Sequence, residues 1–348
     1  MKNNIKNLSK EELFNYFENI GENKFRTNQL QNAIYNNRTS DFQSISNFSA
    51  NLKNKLEQDF NIVSLELIKT MLSSDGSTKF IFKTEDNNFI ESVFLPNNSN
   101  ADASNRNTIC VSTMAGCPVG CKFCATGNFG YKRNLDIAEI LDQILFIQQY
   151  FSDIKIKNAV FMGMGEPFLN YNNLISAIRL ILEFSLLNSK GITISTIGIP
   201  AAILDFANEG LKIKLALSLH SPFDNNRQKL IPIAKKYKIE EILKSLDFYY
   251  RSTHLPITLE YILFKGLNDS NKDIKKLARI ARRFPSVINL IPYNNISKNL
   301  DLIPCNETEI KEFAKKLHNE NIVVITRKSQ GQDISAACGM LVCNENEY

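Results

Sequence analysis

From residue 108 onward, short apolar runs rich in Ile, Val and Leu alternate with longer stretches whose apolar positions recur every three or four residues. The strand-like runs are 108–113, 158–162, 191–195, 213–219, 257–263, 287–291 and 322–326. Between them, 137–149, 270–283 and 307–319 carry amphipathic helical patterns. This rhythm is that of βαβ units and predicts an α/β fold on a parallel sheet or barrel. No internal sequence repeat accompanies it.

The first part of the chain reads differently. Ser9-Lys10-Glu11-Glu12 has the form of a capping box, and Leu13, Phe14, Phe17 and Ile20 follow at helical spacing. A small helical domain over 1–62 is expected. Residues 79–83 and 89–95 alternate about the polar turn Asp86-Asn87-Asn88, a hairpin signature that Pro96 ends. Residues 97–107 are rich in Asn, Ser and Asp and read as a mobile linker. The expected organisation is therefore a helical domain (1–62), a hairpin adaptor with its linker (63–107), an α/β core (108–326) and a C-terminal segment (327–348).

Composition narrows the class. The 348 residues are 43% hydrophobic and 22% charged, as in a globular protein with one large domain and accessories. No run of eighteen apolar residues and no signal-peptide core is present, so a cytoplasmic protein with no membrane partner is expected. Seven cysteines, an odd number, read as ligands or redox thiols and not as a disulfide framework. The formal charge of +5 permits a polyanionic partner without demonstrating one.

The candidate chemistry centres on Cys117, Cys121 and Cys124, a C-x-x-x-C-x-x-C run. Three thiolates on a four-iron cube leave one iron open to bind and reduce something. A structural zinc site is the alternative, and it needs a fourth ligand; the histidines are only His220, His254 and His318, at spacings that do not point to one. Other unusual residues fall where the predicted strands end: Gly163-Met164-Gly165-Glu166-Pro167, Ser195, Ser218-Leu219-His220, Tyr293-Asn294 and Cys338. In α/β barrels such ends converge on one site. Taken singly, each reads first as structure: the Gly-Glu segment as a tight turn, His220 as a core histidine and Ser195 as a helix cap.

The Cys triad with Phe123, the Gly-Glu-Pro turn, Ile194-Ser195-Thr196, Leu217-Ser218-Leu219-His220, Asn289-Leu290-Ile291-Pro292-Tyr293-Asn294 and Asp333-Ile334-Ser335-Ala336-Ala337-Cys338-Gly339 together resemble the RlmN family. The resemblance covers nearly the whole chain. It implies a radical S-adenosylmethionine (SAM) enzyme with a partial (β/α)6-type barrel that methylates C2 of adenine in 23S rRNA and tRNA. It further implies a [4Fe-4S] cluster on Cys117, Cys121 and Cys124, SAM held by Gly165, Glu166, Ser195, Ser218, Leu219, His220 and Asn294, and two SAM per turnover. Cys338 would carry the methyl as S-methylcysteine and Cys110 would release the product by forming a disulfide with it. An electron donor such as flavodoxin or ferredoxin, and a monomeric state, complete the expectation.

Glu91 is the candidate base that removes the C2 proton. By pattern it shares a strand face with Phe89, Val93 and Leu95, an apolar setting expected to raise its pKa; an edge-strand charge facing water is the alternative. Basic clusters at Lys132-Arg133, Lys235-Lys236 with Lys238, and Lys275, Lys276, Arg279, Arg282 and Arg283 are RNA candidates, although such runs are usually solvated helix faces. Phe25 and Tyr35, near Lys24 and Arg26, are RNA candidates that core packing explains as well. Two positions depart from the family pattern: Met114 replaces a common Gln, and Gln332-Asp333 a common Asp-Asp. Two other readings remain: the sister family Cfr, which methylates C8 and keeps the same key cysteines, and a non-catalytic iron-sulfur or zinc module. Pro167 after Gly-Glu favours the C2 family. Cys305 and Cys343 match no motif and read as structural or incidental.

Overall fold

The computed structural model describes residues 2–97, 107–296 and 302–342. Most of the Asn-rich stretch and Cys343 lie outside the described residues. The N-terminal unit begins with β1 (Asn3–Asn4), which pairs in parallel with β2 (Phe60–Asn61) and so closes the segment between them. That segment holds α1 (Lys10–Asn19), α2 (Phe25–Tyr35) and α3 (Ala50–Asp59). The capping box forms as the sequence predicts: Glu12 N donates to Ser9 Oγ at 3.2 Å, and Ser9 N to Glu12 Oε2 at 2.7 Å. Leu13, Phe17, Leu30, Leu52 and Leu56 are buried together between the helices. Lys6 pins the unit to the rest of the chain by a buried ion pair with Asp142, on the helix Ile137–Tyr150.

The main sheet has ten strands. β3 (Leu65–Leu72), β4 (Thr78–Thr84), β5 (Phe89–Leu95) and β6 (Asn107–Cys110) run antiparallel in turn. After a small separate pair, β7 (Met114–Gly116) with β8 (Tyr131–Asn134), come β9 (Ile156–Phe161), β10 (Ile192–Thr196), β11 (Lys214–Ser218), β12 (Ile257–Ile262), β13 (Ser286–Ile291) and β14 (Val324–Thr326). The spatial order is β14-β13-β12-β11-β10-β9-β6-β5-β4-β3. The strands β6 and β9 to β14 are parallel, one for each run read from the sequence. β14 and β3 stand at opposite edges, so the sheet is an open, partial barrel.

The hairpin of β4 and β5 is present, and it is more than an adaptor. β3 adds a third strand, and β5 pairs with β6, so hairpin and core share one continuous sheet. β3 gave no strand signal because its burial does not alternate cleanly, and Leu72 is 72% exposed. Phe80 and Phe82 from β4 pack edge-on against Phe146 of the helix Ile137–Tyr150, which covers this part of the sheet.

Candidate active site

The loops after the parallel strands enclose a cavity of about 560 Å³, within the range of small-molecule sites. Cys117, Cys121 and Cys124 line one wall; Cys110 and Cys338 line the same space. The cysteine loop is held at its base by the small β7–β8 sheet. Gly116, at φ +75°, has no room for a side chain, because a Cβ there would lie 1.9 Å from Gly130 O. Across that gap Cys117 N donates to Gly130 O at 2.8 Å. Burial and the neighbouring thiols push Cys117 up to about 12 and Cys121 well above the ordinary thiol value. Such thiols stay protonated unless a metal takes the proton's place.

Opposite the loop, β9 runs into the Gly-Glu turn. Gly165 has φ +108°, and a Cβ would sit 2.7 Å from the Cβ and Cγ of Met114. Met114, one of the two departures, is thus the fully buried floor on which the turn rests. Glu166 is buried with its carboxylate satisfied by three donors: Thr196 Oγ1 at 2.7 Å, Ile197 N at 2.9 Å and Phe168 N at 3.2 Å. Burial raises its pKa to about 7, and those hydrogen bonds pull the other way. A carboxylate so held is pre-oriented to take a cation in the cavity.

On the next strands Ser195 and Ser218 face one another, Oγ to Oγ 3.4 Å, and both line the cavity. His220 is both a core histidine and a lining residue. Its Nδ1 accepts from Ile262 N at 3.1 Å, and its ring lies edge-on to Phe123 of the cysteine loop, centroids 4.7 Å apart. Burial, assisted by the charge of Arg227, drives its pKa down to about 3, so the ring is neutral. Leu219 does not line the cavity: its side chain is fully buried, its N–H donates to Glu260 O at 3.1 Å and its carbonyl accepts from Arg227 Nε at 3.2 Å.

Asn294 ties down the C-terminal segment. Its Nδ2 donates to Cys338 O at 3.0 Å, and its Oδ1 accepts from Gln332 Nε2 at 2.7 Å. Gln332, the second departure, thereby helps position Cys338. Ala125 N donates to Gly339 O at 2.7 Å and Thr126 Oγ1 to Leu341 O at 2.5 Å, fastening the same segment to the cysteine loop.

Cys110 and Cys338 are free thiols. Burial and then the charge of Cys338 push Cys110 up to about 12. Cys338 is exposed to the cavity, and the surrounding protein mass and then Glu260 push its thiol upward. Arg327 opposes both shifts from the cavity wall. Arg327 and Glu260, which accepts from Asn289 Nδ2 at 2.8 Å, are site residues that sequence reasoning missed; nothing in their spacing marks them.

Glu91 is fully buried, so the water-facing alternative falls. It is not alone on an apolar face, however. Lys79 Nζ lies 3.1 Å from its carboxylate, and Val342 N donates to it at 3.0 Å. It sits one strand repeat from Val93, which lines the cavity and is in register with Cys110.

Several RNA candidates have structural work. Arg133 is clamped between Asp86 and Glu139, Tyr35 is buried and stacked on Phe184, and Arg282 and Arg283 pair with Glu320 and Glu240. Phe25 remains 48% exposed, with the Arg26 guanidinium 5.0 Å from its ring centre. Cys305 is buried among the core residues.

Residues 111–278 match the radical SAM superfamily, and residues 3–62 match the ribosomal RNA large subunit methyltransferase N-terminal domain. A probable dual-specificity RNA methyltransferase RlmN of Thermotoga petrophila is 42% identical over 97% of both chains. The protein of that name from Chloroherpeton thalassium is 38% identical over 98% of this chain and 94% of its own. The chain belongs to the RlmN family.

A solved structure agrees: a radical SAM methyltransferase from Sphaerobacter thermophilus superposes with a TM-score of 0.90 at 32% identity, covering 97% of this chain and 98% of that one. As a radical SAM enzyme of the RlmN family, the protein uses a [4Fe-4S] cluster and SAM. The residues present fit both. Three thiols on one loop are a cluster's donor set. Membership in a family of methyltransferases removes the reading as a non-catalytic module. Among the described residues, no helix is long and apolar enough to cross a membrane.

Proposed function

We propose that this RlmN-family enzyme methylates C2 of adenine in 23S rRNA and tRNA, with Cys338 carrying the methyl group and two SAM consumed per turnover. The observation that supports this most is that Cys110 and Cys338 line one cavity together with Cys117, Cys121 and Cys124. A carrier and a resolving thiol are needed only where a methyl passes through the protein, because C2 lies between two ring nitrogens and is too electron-poor for direct electrophilic methylation.

Cys117, Cys121 and Cys124 hold the cluster in this reading. When bound, the cluster supplies one electron that cleaves SAM and starts radical chemistry. Glu166 takes the amino group of SAM, and Ser195, Ser218, His220 and the backbone at Gly165 line the rest of it, while Leu219 acts from behind by fixing the strand end through Arg227. Asn294 acts from the far side, by holding the carbonyl of Cys338.

Cys338 acts first as a nucleophile: its thiolate takes the methyl of one SAM, and the carbon-sulfur bond of the sulfonium breaks. Arg327 favours that thiolate against the surrounding protein that disfavours it. A second SAM would supply the radical that takes one hydrogen atom from the methyl on Cys338, and the resulting carbon would bond to C2. Glu91 would then take the C2 proton, and Cys110 would attack the sulfur of Cys338 and break its bond to that carbon. The leftover electron would return to the cluster, and the freed carbon would take a proton to become the methyl. The methylated base leaves, and the disulfide must be reduced for the next cycle. Glu91 does not itself line the cavity; it lies one strand repeat from Val93, which does, and its pairing with Lys79 makes the proposed acceptor a carboxylate already opposite a cation.

The N-terminal domain (1–62) would grip the folded RNA, with the C-terminal segment (327–348) presenting Cys338 to the base. A flavodoxin or ferredoxin would deliver the electron, and the enzyme would work in the cytoplasm as a monomer. The experiment is anaerobic reconstitution with iron and sulfide, then incubation with methyl-labelled SAM and each RNA. Label on adenine C2 supports the proposal; a reconstituted cluster with no transfer to either RNA contradicts it.

A further inference from the structure

Arg227 sits on the short helix Asp224–Leu230 and has no solvent exposure. Its Nη2 donates to the carbonyls of Ile197 and Ser218, the latter at 3.1 Å, and its Nε to that of Leu219. Its Nη1 has no partner. Among the described residues, no carboxylate forms an ion pair with it. A buried guanidinium satisfied only by carbonyls carries an uncompensated charge, and such a charge is costly to keep out of water. Something in the working protein must offset it.

The surroundings indicate what. The last residue of this helix, Leu230, accepts from Lys122 N at 2.9 Å, so the helix is fastened to the cysteine loop beside Cys121. Ile197, whose carbonyl accepts from Arg227, donates its own N–H to Glu166. Burial depresses the guanidinium to about 10, and the negative charges opposing that shift are, in order, Cys121, Asp224 and Glu166. Asp224 is partly exposed, and its Oδ1 accepts from Ile239 N.

We infer that Arg227 is the buried counter-charge of the iron-sulfur cluster: a positioning residue that makes the cluster easier to reduce while locking the strand ends that line the SAM site. Three thiolates on a cube give a net negative centre, which becomes more negative on reduction. A fixed buried cation stabilises the reduced form more than the oxidised one, and the low-dielectric interior leaves that preference poorly screened. No sequence signal singled out Arg227.

The test needs neither RNA nor methyl transfer, so it stands apart from the C2 assignment. Wild-type protein, Arg227→Met and Arg227→Lys are reconstituted anaerobically, and their cluster content and one-electron redox titrations are compared. At the potential that half-reduces the wild-type cluster, the reduced-to-oxidised ratio in Arg227→Met should fall about tenfold, equivalent to 59 mV for one electron. Arg227→Lys, which keeps the charge and loses the fork, should stay within about threefold of wild type. If Arg227→Met does not hold a cluster, Arg227→Gln replaces it as the neutral variant with the same expected fall. A neutral variant with a full cluster and the wild-type ratio overturns the inference, as does a lysine variant shifted as far as the neutral one.

Discussion

Cys110, at the end of the first parallel strand, and Cys338, on the C-terminal segment, open onto the same cavity; the charge of Cys338 helps hold the Cys110 thiol up, and Arg327 draws both thiols down. Two thiols so placed are suited to sequential work: one accepts a group, the other displaces it. The division of labour gives a sharp pair of variants. Cys338→Ala should abolish methyl transfer while leaving the visible spectrum of the cluster unchanged, since it is not one of the proposed ligands. Cys110→Ala should leave the second half-reaction incomplete and accumulate protein covalently joined to RNA, seen as a nuclease-sensitive band of raised mass on a denaturing gel. Full methylation by Cys338→Ala contradicts the carrier role.

Glu166 makes SAM binding pH-dependent. Burial lifts its carboxyl to about 7 in the free protein, and only the ionised form attracts an ammonium. Affinity should therefore be constant above that value and fall about tenfold per unit below it, following the fraction ionised. Equilibrium binding of SAM to the reconstituted protein across the range checks this. Glu166→Gln should bind weakly and show no such slope. Affinity that rises on acidification contradicts the assignment.

Lys79 and Glu91 form a buried pair, with side chains 4% and 0% exposed. Lys79→Met would remove the cation 3.1 Å from a buried carboxylate. Unfolding by denaturant should then show a loss of about 3–5 kcal/mol, and adding Glu91→Gln should recover much of it. A single variant within about 1 kcal/mol of wild type would mean that the carboxylate is stabilised elsewhere.

RNA affinity should fall steeply with salt if phosphate contacts carry it. A plot of log affinity against log salt should have a clearly negative slope, reduced by replacing Arg26, which stands over exposed Phe25. Replacing Arg133 should act differently. Its two carboxylate partners, Asp86 and Glu139, bind the β4–β5 hairpin to the helix below it, so stability drops and the salt slope is kept.

The parallel strands were legible because buried strands read as unbroken apolar runs, as in Ile213 to Leu219, and the covering helices because their stripes are periodic. The cysteine loop and the Gly-Glu turn were legible because thiols and glycines are costly where they are not needed. Pairing across the sheet was not. That β5 joins β6, or that Lys79 faces Glu91, depends on register between segments, which no local pattern encodes. Arg227 and Arg133 were missed or misassigned because charges in helical runs are usually solvated, and only tertiary packing distinguishes the buried exceptions. Tyr35 failed as an RNA contact because an aromatic near basic residues looks the same whether it faces RNA or, as here, Phe184.

Which adenine carbon receives the methyl decides between C2 and C8 chemistry. Purified protein, reconstituted without oxygen and given methyl-labelled SAM, is incubated with 23S rRNA and tRNA; the RNA is digested to nucleosides, and mass spectrometry locates the label. The expected product is 2-methyladenosine, absent when Cys338 is replaced. Label found only at C8 would contradict the central claim.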